Sequence, residues 1–456
     1  MLEVPSVMQN IQNFIGNRQL CVEHLPPNAV ALDPGNARCH PASQIKSLCQ
    51  SIAAFGFNVP VLVDADNQVI AGEARILAAR KLGLDIVPVI RIEHLDANAL
   101  RAFKVADNRL SELSSWDDQV IGQILRELSD ISLDFDIEAT GFSMAEIDLR
   151  IEGLNDAEDD PGDVLPGAGP AVTVPGDGWQ LREHRLVCGS ALDVLAWTQL
   201  MDDGEMAALI VTDPPYNVKI GGHVSGLGKH KHREFAMASG EMSEVEFIEF
   251  LTNASRNMYK WSVDGSLHYV AMDWRHLHEL TVACRAVFDR HINTCVWSKN
   301  PGMGAFYRSA HEMFMVFAKG RGPTRNNVQL GRFGRSRSNV WSYPGANSSF
   351  GRAGDEGNPL AMHPTVKPLA LISDILLDAS ARGDIVADPF AGSGTILISC
   401  EKLGRRARAI ELDPLYCDTA IRRWQAWTGE DAIRISDGIT FTALEVAART
   451  ATGENA

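Results

Sequence analysis

The sequence predicts an α/β chain of two domains, a small α+β domain followed by a larger doubly wound α/β domain, and three observations carry that prediction. From residue 179 onward short apolar strand candidates alternate with helical patterns, as a sheet with crossover helices requires. Residues 156–178 break the apolar pattern with acids, glycines and prolines. Ahead of them lies a separate strand, turn and helix pattern. A chain of 456 residues with 45% apolar content exceeds one ordinary core and can fill more than one.

Taken in order, the first domain spans 20–112. Pro60 to Val63 and Gln68 to Ala71 read as strands, Gly72-Glu73-Ala74-Arg75 opens a helical run from Ile76 to Leu82, and Ile86 to Ile92 is a further strand. Residues 113–155 form a helical extension, with patterns at Trp116 to Ser129 and Ser143 to Gly153. The stretch 156–178 is expected to be an acidic, flexible linker. In the second domain, 179–440, strands are expected at Ala208 to Thr212, Leu267 to Met272, Thr294 to Ser298, Met313 to Ala318, Asp384 to Ala387 and Arg408 to Glu411. Helices are expected at Ser243 to Trp261, Trp274 to Phe288, Pro368 to Ala381 and Thr395 to Leu403. Residues 441–456 read as a frayed tail.

Composition narrows the class. No apolar run approaches the roughly 18 residues of a membrane span, and no basic stretch leads an apolar one at the N-terminus, so a cytoplasmic protein without a membrane partner is expected. Eight scattered cysteines have neither zinc-ligand nor thioredoxin spacing and read as reduced thiols. The net charge of -16 divides unevenly. Residues 1–165 carry 12 basic and 26 acidic side chains, whereas 166–456 carry 30 against 32. Within 301–352 eight cations face one acid, Glu312, which is the local basic surface that phosphate binding needs.

Two motifs carry chemistry. Asp384 to Ala387 runs into Asp388-Pro389-Phe390-Ala391-Gly392-Ser393-Gly394-Thr395, a strand entering a glycine turn that opens a helix, where backbone can approach an electron-rich ligand. Glu411 ends the next strand at a spacing suited to ribose hydroxyls. The second motif, Asp213-Pro214-Pro215-Tyr216, follows a buried-strand pattern. An exocyclic base amine is a poor nucleophile because its lone pair is delocalised into the ring. A carboxylate accepting one N–H and a backbone carbonyl accepting the other favour a pyramidal nitrogen, and proline stiffens the turn that holds both acceptors. The base must leave the duplex stack, and stacking on Tyr216 offsets part of that cost.

In this order the motifs resemble those of the permuted, beta-type amino-methylating DNA methyltransferases, and the resemblance covers residues 179–440. It implies a Rossmann-like fold, S-adenosyl-L-methionine as cofactor and double-stranded DNA as partner. His363-Pro364-Thr365-Val366-Lys367-Pro368 matches the segment leading into the cofactor motif, and Asn293 to Lys299 with Arg308 to Lys319 matches later sheet motifs. By resemblance Asp213, Pro214, Pro215 and Tyr216 are catalytic; Asp388, Phe390, Gly392, Gly394, Thr395 and Glu411 surround the cofactor; and Lys367 lies near its carboxylate. Cys188-Gly189-Ser190-Ala191 departs from the family's Gly-Asp, so Ser190 is left out of the site. No cysteine follows a proline, so the nucleophile of ring-carbon cytosine methylation is missing. Aspartate at the head of the motif leans towards adenine N6 over cytosine N4.

Residues 320–359 occupy the position of a target-recognition region, where Arg321, Arg325, Arg332, Arg335 and Arg337 are the candidate DNA contacts, accompanied by Phe333, Trp341, Tyr343 and Phe350. His223, His230 and His232 read as part of a glycine-rich loop contacting DNA, and no metal is expected because transfer from a sulfonium needs none. The first domain, through Ile70-Ala71-Gly72-Glu73-Ala74-Arg75 and Ala106-Asp107-Asn108-Arg109, resembles the ParB N-terminal (ParB/sulfiredoxin-like) domain, a fusion familiar from bacterial mobile elements and phages. That resemblance marks Gly72, Arg75, Asn108 and Arg109 as a candidate nucleotide or partner site. Ala74 replaces one arginine of the family's Gly-Glu-Arg-Arg, and a structural turn or a DNA or partner contact is at least an equal reading.

The sequence therefore points to site-specific adenine-N6 DNA methylation. Cytosine-N4 methylation and a ParB-like DNA-binding regulator with an inactive methyltransferase domain are the alternatives. A homodimer is compatible with it, and a companion restriction nuclease does not follow from it.

Overall fold

The computed structural model describes residues 20–111, 113–114, 116–131, 133–152, 166–167, 169–218, 240–299, 307, 309–328, 337–343 and 366–452. The chain divides into two compact units, Met1–Leu154 and Asn155–Ala456.

In the first unit, strands β1 (Val22–Leu25), β2 (Val61–Val63), β3 (Val69–Ala71) and β4 (Val87–Arg91) form a four-stranded sheet ordered β1-β4-β2-β3. Helices α1 (Ala42–Phe55) and α2 (Glu73–Leu82) accompany it. The alternating apolar residues of the strands explain the core: Val61, Val63, Val69, Val87 and Val89 point inward and meet Ile76 of α2. Gly72 takes a φ of 101° at the start of α2, a conformation open to glycine at little cost. Helices α3 (Ala97–Ser111), α4 (Asp118–Asp130) and α5 (Met144–Glu152) follow. Asp117 caps α4 by accepting from the amides of Gln119 and Val120, and Ile121 and Leu125 pack on Ile147 and Ile151 of α5.

The second unit holds one ten-stranded sheet ordered β11-β9-β10-β8-β7-β12-β13-β6-β5-β14. Its strands are β5 (Gly178–Leu181), β6 (His184–Cys188), β7 (Ala207–Thr212), β8 (Ser262–Met272), β9 (Arg290–Ser298), β10 (His311–Ala318), β11 (Val340–Ser342), β12 (Ile385–Asp388), β13 (Arg406–Glu411) and β14 (Ile433–Arg434). Helices α6 (Val194–Leu200), α7 (Glu244–Lys260), α8 (Leu277–Arg285), α9 (Leu369–Ala379), α10 (Thr395–Leu403), α11 (Pro414–Thr428) and α12 (Phe441–Thr452) complete it. Strands β8, β7, β12, β13 and β6 run parallel, so their carboxyl ends share one edge. The late strand β12 inserts beside β7, which brings the glycine turn and the Asp-Pro-Pro-Tyr motif next to each other. Two apolar cores build the unit; one contains Leu209, Val386 and Ala409 and the other Ile210, Ala387 and Ile410, alternate residues of the same three strands.

Two boundaries differ from the sequence reading. The end of the expected linker is fixed, because the amides of Val172 and Thr173 donate to the Asp418 carboxylate at 2.8 and 2.9 Å. Most of the expected tail is helix α12, held by the edge-to-face contact of buried Phe441 with buried Trp179 at 5.3 Å. Among the described residues no helix is long and apolar enough to cross a membrane.

Candidate active site

The parallel strands deliver their terminal residues to one cavity of about 410 Å³. β7 brings Asp213 to Tyr216, β12 brings Asp388 and the glycine turn, and β13 brings Glu411. β10 runs antiparallel to β8 and β9, so its first residues, His311 and Glu312, arrive at the same edge together with Lys299 after β9. Charge in the lining is unbalanced: Asp213, Asp273, Glu312, Asp388, Glu411 and Asp413 stand against Arg275, Lys299 and Lys367.

At one end Glu411 organises the glycine turn. One carboxylate oxygen accepts from the Gly392 amide and the other from the Asp413 amide, both at 2.8 Å. Burial outweighs these bonds and pushes the Glu411 carboxyl up to about 7. Burial likewise raises Asp388 to about 7, although it accepts from the Thr212 hydroxyl at 2.7 Å and the Phe390 amide at 3.0 Å. Gly394 has φ 77°, and a Cβ there would stand 2.7 Å from that of Ala420. The turn is therefore pressed against α11 as only glycine permits. Arg423, buried on α11, donates to the Thr395 hydroxyl at 3.0 Å and the Ser393 carbonyl at 3.2 Å from behind.

At the other end the Asp-Pro-Pro-Tyr motif is engaged with its own surroundings. The Tyr216 hydroxyl donates to one Asp213 oxygen at 2.6 Å, and the Lys367 ammonium donates to the other at 2.5 Å. Lys367 also lies 3.1 Å from Glu312 and 3.3 Å from the Tyr216 oxygen, while Lys299 pairs with the other Glu312 oxygen. Burial would raise Glu312, yet Lys367 and Lys299 outweigh it and hold the carboxyl at about 2. Burial pushes Asp213 up against the pull of Lys367. Desolvation alone would lower Lys367, but facing two carboxylates it is held above its ordinary value and stays charged. Behind the motif Asn217, at φ 53°, accepts from the amides of Gly240 and Met242 at 3.0 and 3.2 Å and donates to the Met242 carbonyl at 2.8 Å.

Asp213, Pro214, Pro215, Tyr216, Asp388, Phe390, Gly392, Thr395, Glu411 and Lys367 thus line one cavity, with Gly394 packed behind it. Lys367 is bound to the Asp213 carboxylate, a placement that the sequence, which put it at the cofactor's carboxylate, did not contain. Ser190, set aside on sequence, is in the lining. Glu312 and Lys299 were missed as site residues; the signal was Glu312 itself, the one acid among the eight cations of 301–352.

The candidate DNA contacts fare unevenly. Arg321 is exposed and Arg325 half-buried, both outside the cavity lining, and Arg332 and Arg335 lie outside the described residues, as do Phe333, Phe350 and the three histidines of the 221–232 loop. Arg337 is a correction: its guanidinium pairs with Asp374 and, at 2.8 Å, with Asp378, and donates to the Tyr343 hydroxyl at 2.9 Å. With two carboxylates already neutralising it over the Trp341 ring, it braces α9 and is not presented to a phosphate. In the first unit Arg75 donates to the carbonyls of Val59 and Pro60 at 2.6 and 2.8 Å, which favours the structural-turn reading. Asn108 donates to the Lys104 carbonyl at 2.8 Å, and Arg109 is exposed near the end of α3.

Comparison with known proteins agrees with this layout. A DNA methylase family model matches residues 207–422, a ParB N-terminal domain model 13–109, and a ParB-methyltransferase HTH domain model 122–175, the last where the sequence reading saw only a helical extension. Type II methyltransferase M.HpaI of Haemophilus parainfluenzae is 26% identical over 269 residues, covering 55% of this chain and 77% of its own. The ParB-like nuclease domain-containing protein YnaK of Escherichia coli (strain K12) is 45% identical over 60 residues, covering 13% of this chain and 69% of its own. A DNA modification methylase of Thermus thermophilus, solved with S-adenosyl-L-methionine, is 22% identical at a TM-score of 0.37 over 56% of this chain and 96% of its own. The chain therefore carries a DNA methylase domain of the N6/N4 family, with a ParB-like domain fused ahead of it.

Proposed function

We propose that this DNA methyltransferase acts on the N6 amine of adenine in double-stranded DNA. The observation that carries the reading is the half-buried Asp213 carboxylate, on a proline-stiffened turn, opening into the same cavity as the glycine turn and Glu411. S-adenosyl-L-methionine fits this cavity: acceptors on Glu411 suit a ribose, Phe390 offers an apolar face, and the excess of carboxylates suits a cation. When bound it supplies an electrophilic methyl group on a sulfonium. Phe390, Gly392, Thr395 and Glu411 would hold it, leaving the Asp213 end of the cavity for the base.

At that end Asp213 accepts one N–H of the flipped amine and the Pro214 carbonyl the other, drawing the lone pair out of the ring and aiming it. Before the base arrives the Tyr216 hydroxyl holds Asp213, and its ring is kept for the base. Aspartate at the head of the motif favours adenine over cytosine. The test incubates the chain with labelled S-adenosyl-L-methionine and unmethylated DNA, then identifies the labelled nucleoside by mass spectrometry. N6-methyladenine is expected; N4-methylcytosine would move the substrate within the same mechanism, and an unlabelled digest with cofactor binding intact would favour a DNA-binding regulator.

A further inference from the structure

Both oxygens of Asp213 already accept a hydrogen bond, from the Tyr216 hydroxyl at 2.6 Å and from the Lys367 ammonium at 2.5 Å. A carboxylate whose charge is drawn towards an ammonium is a weaker acceptor for an incoming N–H. The base amine and Lys367 therefore compete for one carboxylate. Glu312 offers the way out. One of its oxygens lies 3.1 Å from Lys367 and 3.4 Å from the Tyr216 hydroxyl, within reach of both donors that Asp213 must release. The other oxygen is held by Lys299, so the carboxylate is anchored where it stands. Asp213, Glu312, Lys367 and Lys299 balance two negative against two positive charges, and passing Lys367 from one carboxylate to the other moves no net charge into or out of the site.

We infer that Glu312 is a positioning residue for methyl transfer: it takes Lys367, and with it the Tyr216 hydroxyl, when the exocyclic amine of the base engages Asp213. The inference rests on the reading of the cavity as a DNA-methylating site. Glu312 acts through Lys367, so its effect disappears when Lys367 does.

The test measures single-turnover methyl transfer to DNA by the full chain at saturating S-adenosyl-L-methionine, together with cofactor affinity. Glu312→Gln is expected to slow transfer at least about tenfold with the cofactor dissociation constant within about twofold, and Glu312→Asp, which keeps the charge, to recover most of the rate. In a Lys367→Gln background Glu312→Gln is expected to add no further loss. Transfer by Glu312→Gln at the wild-type rate, no recovery in Glu312→Asp, or losses that multiply in the double variant would overturn the inference. So would a Lys367→Gln chain that binds cofactor but transfers nothing, since the ammonium would then be required and not displaced. If Glu312→Gln fails to bind cofactor, Glu312→Asp and Lys367→Gln decide the matter alone. A wild-type chain that labels no nucleoside would instead remove the methylation reading itself.

Discussion

Each unit contains a strand that runs through a left-handed glycine into a helix, Gly72 before α2 in the ParB-like unit and Gly394 before α10 in the methylase unit, and the two turns have different fates. In the first the chain fills the hollow itself: Arg75 reaches back over Gly72 and binds the carbonyls of Val59 and Pro60. In the second the bracing arginine, Arg423, comes from behind, and the front of the turn faces a cavity. The lesson is that a strand, glycine and helix pattern marks a place where backbone can meet a ligand, while the side chains around it decide whether a ligand or the protein takes that place.

The sharpest break would come at the chemistry. Asp213→Ala should reduce methyl transfer by at least about 10³-fold while leaving cofactor affinity, measured by titration calorimetry, within about threefold. Retained transfer would end the assignment. Next in size, Gly394→Ala meets both an unfavourable φ and the Ala420 side chain at 2.7 Å, and should cost about 2–4 kcal/mol in urea unfolding along with most cofactor binding. Gly72→Ala shares the unfavourable φ, at 101°, but meets only the flexible Arg75 guanidinium at 3.1 Å, and should cost about 1–2 kcal/mol without touching cofactor affinity. Equal losses from the two would erase the distinction between a filled and an open turn. Arg423→Gln should weaken cofactor binding about tenfold by loosening Ser393 and Thr395, whereas Arg75→Gln should leave it unchanged.

The smallest effect is a pH dependence. Glu411 and Asp388 titrate at about 7, above their unfolded values, so the stability they contribute is present in acid and fades as pH rises through 7. A cationic ligand reverses the preference by favouring the carboxylates, so cofactor affinity should rise between about pH 6 and 8 with release of protons. Calorimetry in buffers of different ionisation enthalpy checks this, and Glu411→Gln should flatten the slope.

The alternation of β7 and β12 with helices is legible because parallel strands buried on both faces are continuously apolar, and the Asp213 and Gly394 turns stand out because few other residues suit them. The pairing of Lys367 with Asp213 was not legible, since the two are 154 residues apart and meet only when β12 inserts beside β7. Arg337 misled because a basic stretch does not reveal that Asp374 and Asp378 of α9 await one of its members. Helix α12 reads as a tail in sequence because its docking depends on partners outside it, Trp179 for Phe441 and Arg422 for Glu445.

Asn217, one residue beyond the Asp-Pro-Pro-Tyr tetrapeptide, accepts from the amides of Gly240 and Met242. Its side-chain amide also donates to the Met242 carbonyl at 2.8 Å, so one side chain makes three bonds to that stretch of backbone. The turn that carries Asp213 is therefore clasped from one residue downstream, and the Asn217 side chain works as a buckle that transmits the position of Gly240 and Met242 to that turn.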